Sequence, residues 1–134
     1  MHRLPAVAVA VVLAIPTVTA ARLAGTWRNP AGSVEVGMAP CGSRLCGTVV
    51  WASGRAKDEA ANGGTDRLVG TQLFRGLVAD GPGHWSGTVF VPDLGRTVDG
   101  SLAQVGSDAL EVSGCIIPGL VCQTQTWTRV GDRR

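Results

Sequence analysis

The chain reads as an all-β protein, a small antiparallel up-and-down β-barrel of about eight strands. Three observations predict this. Short runs with two-residue alternation recur from about Leu23 onward, at spacings of about 8 to 14 residues. Nineteen glycines and seven prolines punctuate them. Two close cysteine pairs, Cys41 with Cys46 and Cys115 with Cys122, each bracket a tight turn between β-like runs. Eight antiparallel strands close most simply into a barrel, which removes exposed edges. A two-sheet sandwich is the alternative fold.

The first 20 residues have the pattern of an export signal. Arg3 supplies the positive start, and Leu4 to Ile15 is an apolar run. Pro16-Thr-Val-Thr-Ala20-Ala21 offers small residues for cleavage after Ala20 or Ala21. The run falls short of the roughly 20 residues of a membrane span; a retained N-terminal anchor is the competing reading. The sequence therefore predicts a leader at 1–20, one domain at 22–130 and a polar tail at 131–134. The mature chain is exported, periplasmic or extracellular, with no membrane span once the leader is removed.

The elements follow in order. Leu23 to Trp27 opens the first strand, and Asn29-Pro30-Ala31-Gly32 turns it. Val34, Val36 and Met38 share one face of the next strand, and Pro40 to Ser43 forms its turn. Leu45 to Ala52 is an apolar strand holding Val49, Val50 and Trp51. Ser53 to Asp66 is the long polar stretch, either a loop or one short helix through Ala56–Ala61. Gln72 to Ala79 is a strand, and Asp80-Gly81-Pro82-Gly83 is a turn of clear chemistry: glycine supplies positive φ and proline fixes φ. From His84 to Val91, Trp85, Gly87 and Val89 alternate with Ser86, Thr88 and Phe90. Pro92 to Gly95 turns again, and Arg96–Leu102, Ala109–Gly114 and Gln123–Val130 complete the set.

Four cysteines in an exported chain read as disulfides. Hairpin geometry favours Cys41–Cys46 and Cys115–Cys122, because residues flanking a turn face each other. A cross-pairing that joins the two hairpins is the rival. A zinc site is disfavoured by the export signal and by the spacings.

Gly25-Thr26-Trp27 lies on the first strand and Arg129 on the last. In a closed barrel these strands pair, so Arg129 is placed to stack over the Trp27 indole. The pattern resembles the lipocalin and wider calycin families. The full series is more specific. Gly25-x-Trp27 precedes Cys41-Gly42-x3-Cys46-Gly47, Trp51 and Arg67-Leu68-Val69-Gly70. Trp85-Ser86-Gly87-Thr88-Val89-Phe90-Val91-Pro92-x2-Gly95-Arg96-Thr97 follows, then Gly114-Cys115 and Cys122-x-Thr-Gln-Thr-Trp127-Thr-Arg129. This series resembles the bacterial exported family called domain of unknown function 2147, from about Leu23 to Val130. The resemblance implies a lipocalin-like barrel and brings no biochemical activity with it. The chain departs from the family pattern at Leu68, where members usually carry proline after the arginine, and in having no tyrosine.

No catalytic signature is visible, and the chain reads as a non-enzyme with no cofactor and no metal. The mature part has one histidine, His84, beside a Gly-Pro-Gly turn. Neither cysteine pair has the redox spacing. Asp93 and Asp99 flank a turn, where acids are usually solvated. Asp58, Asn62 and Asp66 are too few for calcium. Asn62-Gly63-Gly64-Thr65 lacks the lysine of a phosphate loop. The formal net charge of +2 shows no basic stripe, so nucleic acid is not expected.

The tryptophans remain. They either fill the barrel interior or line a cup for a small, partly apolar ligand. In the second reading Trp51, Trp85, Phe90 and Val49 form the wall, and Gln125, on the face of Trp127, is a polar group that needs a partner. The Ser53–Asp66 segment is then its rim or lid. Gly25, Trp27, Trp127 and Arg129, with the four cysteines, are read as frame. The function expected is ligand binding in the cell envelope; the alternative is a protein-interaction or inhibitor module whose protein partner the sequence does not identify.

Overall fold

The structure, a computed structural model, describes residues 22–117 and 120–131. The expected leader at 1–20 lies outside the described residues, as do 132–134 of the expected tail. The strands are β1 (Gly25–Arg28), β2 (Val34–Cys41), β3 (Arg44–Ala52), β4 (Gln72–Gly81), β5 (His84–Val91), β6 (Arg96–Gln104), β7 (Ala109–Ile117) and β8 (Val121–Arg129). One helix, α1 (Gly54–Asn62), lies between β3 and β4. All eight strands join in sequence order into a closed antiparallel barrel, and β8 returns to pair with β1 through Trp27 opposite Arg129. The predicted barrel is therefore the observed one, and the sandwich is set aside.

Chain direction fixes two ends. One end carries the β1–β2, β5–β6 and β7–β8 turns and α1. The other carries residues 22–24 and the β2–β3, β4–β5 and β6–β7 turns. The turns take their form from glycine: Gly32, Gly42, Gly83 and Gly95 all have φ between 62° and 68°, where a β-carbon is strained. Both disulfides are local, Cys41–Cys46 and Cys115–Cys122. Cys115 and Cys122 stand opposite each other in register, whereas Cys46 stands opposite Ala39, two residues from Cys41.

The core is uneven along the barrel axis. Near the 22–24 end it is solid: Leu23, Trp27, Leu77, Leu102 and Leu110 are all at 0–1% exposure, with Trp85 among them. The next layer is filled from one side only. Gly47, Gly87 and Gly100 point inward where large neighbours already occupy the space. A β-carbon on Gly47 would meet Phe74, Met38 and Val36 at 2.6–2.8 Å, and one on Gly87 would meet Leu77 at 2.7 Å. Toward the α1 end the inward positions are Val98, Val112, Gly114, Gln123 and Gln125, and there the interior is not filled.

Candidate functional site

The unfilled half of the barrel is a cavity of roughly 580 Å³ that opens at the α1 end. This lies within the range of small-molecule sites, about 300–1,000 Å³. Its floor is Phe74 and Trp127, whose rings meet edge to face at 5.5 Å. Val89, Val98 and Val112 rise above them. Ile116 and Val121 on one side, and Leu68 and Ala56 on the other, form the mouth.

Alternation on β8 sets Trp127, Gln125 and Gln123 on one face, whose direction the sequence left open, and all three line the cavity. The indole Nε1 of Trp127 donates to Gln125 Oε1 at 3.1 Å. Gln125 and Gln123 both reach the cavity wall. Trp127, read from sequence as frame, is therefore also cavity floor.

The rim is α1, so the segment read as loop or helix is a helix. Ser53 caps it by accepting from the Ala56 backbone N–H at 3.1 Å. Ala56 and Ala60 are its buried face. Its far end rests on the β5–β6 turn. Thr65 Oγ1 donates to the Pro92 carbonyl at 3.0 Å, and a β-carbon on Gly63 would overlap the Asp93 backbone. Glu59 and Asp93 thus stand near each other at the mouth, both on the cavity wall. Partial burial raises the Asp93 carboxyl above its ordinary range, and the Glu59 charge adds to the rise.

Three expected wall residues lie elsewhere. Trp51 is on the outer face, 43% exposed, because β3 carries a bulge. Glu35 pairs with Trp51 while Val36 pairs with Val49, so Val50 is the extra residue and the alternation flips after it. Ala52 takes the inward place instead. Trp85 and Val49 point inward but belong to the solid layers, and neither reaches the cavity. Phe90 and Gln125 do reach it. Phe90 sits on the β5 face opposite Trp85 and Val89, with the Arg75 guanidinium 4.5 Å from its ring centre. Trp127, Phe74 and Val112 were missed as wall residues. For Trp127, position on the glutamine face was the available signal.

The frame residues meet at the sealed end. The Arg129 guanidinium lies 4.4 Å from the Trp27 ring centre. Its Nη1 donates to the Ala24 carbonyl at 2.8 Å, its Nη2 to that of Arg22 at 2.6 Å, and its Nε to that of Ser107 at 3.0 Å. Gly25 has φ of 121°, and a β-carbon there would stand 3.0 Å from Arg129 Nη1, so glycine leaves room for the guanidinium. Trp27 is fully buried, and its Nε1 donates to the Leu23 carbonyl at 2.9 Å.

His84 pairs with Asp80 on the outer surface, and Ser86 donates to the other Asp80 oxygen. The two bonds, the one to His84 foremost, hold the Asp80 carboxyl below its ordinary range. The carboxylate stands between serine and histidine, so the histidine is not set to take the serine proton, as nucleophilic catalysis requires. Among the described residues there is no cluster of three or more metal-ligating side chains, and no helix long and apolar enough to cross a membrane.

A closed eight-stranded antiparallel cup with a short helix at its mouth is a lipocalin-like architecture. Protein HP1028 from the human pathogen Helicobacter pylori, described as belonging to the lipocalin family, has a similar structure. The TM-score is 0.64 at 16% identity, over 82% of this chain and 84% of that one. The model of a family described as uncharacterised proteins conserved in bacteria, domain of unknown function 2147, matches residues 25–129, and the chain belongs to that family. No curated protein matches the chain.

Proposed function

We propose that this protein is an exported, non-enzymatic carrier or sensor of a small, partly apolar molecule in the cell envelope. The observation that carries the reading is the half-filled barrel. One end is sealed by Arg129 over Trp27, while the other keeps a cavity of roughly 580 Å³ with a largely apolar wall. An interior that served only stability would be filled to ordinary packing density. The lipocalin-like fold and the two disulfides are consistent with ligand binding outside the cytoplasm. The test is titration of the purified mature protein with a neutral naphthylamine dye, following dye and tryptophan emission. Saturable binding at one site, lost when the cavity is filled by mutation, is the expected result. Failure of the dye and of a panel of envelope lipids to bind would overturn the reading.

A second reading, an interaction module, is favoured by one feature. Ile116, Ile117, Leu120 and Val121 at the β7–β8 tip, with Leu94 on the neighbouring turn, are about half exposed or more. A pull-down from periplasmic extract, compared with a variant carrying Ile117→Ser and Leu120→Ser, separates the two. A partner lost with the tip but indifferent to cavity filling favours the module.

A further inference from the structure

We infer that the cavity takes an uncharged amphiphile with a hydrogen-bond-accepting oxygen, such as an ester or amide, in preference to a carboxylate of the same chain length. The inference rests on the carrier reading and adds the chemistry of the ligand head. An indole N–H only donates, so the 3.1 Å bond from Trp127 fixes which end of the Gln125 amide faces it: Oε1 lies toward the indole and Nε2 away. Gln125 Nε2 has no protein hydrogen-bond partner among the described residues, and the residue is exposed on the open cavity wall, so these donors face water that a ligand oxygen can replace. Its two N–H groups therefore offer donors beside an aromatic floor. Gln123 supplies a second amide one step nearer the mouth on the same strand face.

Charge decides between the heads such donors can bind. Among the described residues the cavity wall contains Glu59 and Asp93 and no lysine, arginine or histidine. The Arg75 guanidinium lies over the Phe90 ring with its Nε bonded to the Gln72 carbonyl at 2.8 Å, and Arg75 is not part of the wall. A carboxylate entering this site passes two acids and loses water with no cation to replace it. An ester or amide oxygen has little charge to desolvate and still accepts from Gln125.

The test is displacement of the neutral naphthylamine dye at pH 7 by a fatty-acid methyl ester and by the free acid of the same chain. The ester is expected to displace at a concentration about tenfold lower, the scale of one net hydrogen bond at the upper end of its range. Gln125→Glu keeps an oxygen for the Trp127 N–H and removes the two donors; ester affinity should fall about tenfold while the dye still binds. Equal or tighter binding of the free acid overturns the inference, as does an ester affinity unchanged in Gln125→Glu. If the dye binds but no head is preferred, only this inference falls; if neither dye nor ester binds, the carrier reading falls with it. The wild-type comparison stands on its own should the variant fold poorly.

Discussion

Arg129 donates from each of its three guanidinium nitrogens to a carbonyl of a different residue and covers Trp27 with its plane. A lysine has one nitrogen and no plane, so it cannot reproduce the set. Arg129→Lys should cost roughly 1–3 kcal/mol, the sum of a lost stacking contact and charge-assisted bonds. Urea unfolding checks this: the midpoint should fall with an unchanged slope. The Trp27–Arg129 contact was legible because both residues sit at the ends of the chain that a closed barrel must join. Trp51 was not, because a single extra residue at Val50 reverses the strand face and nothing in Val49-Val50-Trp51-Ala52 marks the bulge. Gln125 was legible as a polar group on the Trp127 face of β8, but its partner, Trp127 Nε1, lies on the same strand face and was not legible from spacing alone.

At the scale of elements, α1 and the β5–β6 turn act as one rim. Gly63 has a φ of −88°, which any residue adopts, so its role is space and not backbone freedom. A methyl there would strike the Asp93 backbone. Gly63→Ala should therefore loosen α1 from the turn and speed ligand release, read as a faster dissociation rate of the naphthylamine dye with the barrel's circular dichroism unchanged. Asp93 gives the rim a pH dependence of known sign. Its folded pKa is raised above 3.8, so between 3.8 and the raised value the native state holds more proton than the unfolded state. Stability contributed by this group falls as pH rises through that window, and the penalty is complete above it. Asp93→Asn should remove the penalty, so the variant gains stability over wild type as pH rises from below 3.8 to 7. Asp80 works in the opposite sense: its lowered pKa gives stability present above 3.8 and lost as pH falls through the folded value. Thermal melts of Asp93→Asn and Asp80→Asn across that range, extended below 3.8, separate the two. The positions of the strands were legible from alternation and turn residues. The contact of α1 with the β5–β6 turn was not, since it brings together Gly63 and Asp93, 30 residues apart, by close backbone approach and one threonine hydroxyl, neither of which leaves a pattern in the sequence.

At the scale of the whole molecule, composition and turn spacing pointed to a closed barrel with a sandwich as the alternative, and left open how much of the barrel is filled. That depends on depth along the axis, which alternation does not encode. Two inward glycines on adjacent strands mark the boundary. A β-carbon on Gly100 would overlap Val89, whereas one on Gly114 would meet its nearest neighbour, Val98, at an ordinary 3.4 Å. Gly100→Val should therefore overpack the filled half and destabilise by roughly 1–3 kcal/mol or more. Gly114→Val should place its methyl groups in the cavity. Reduced unfolded-chain freedom favours it and no core contact opposes it, so stability should stay within about 1 kcal/mol of wild type or rise. The two variants should then part on function. Gly114→Val loses dye affinity with the fold retained, while any binding loss in Gly100→Val follows its loss of stability. Paired denaturation and dye titration of both decide the matter. If Gly114→Val is as damaging to the fold as Gly100→Val, the barrel is packed to both ends, and the cavity is no site for a ligand.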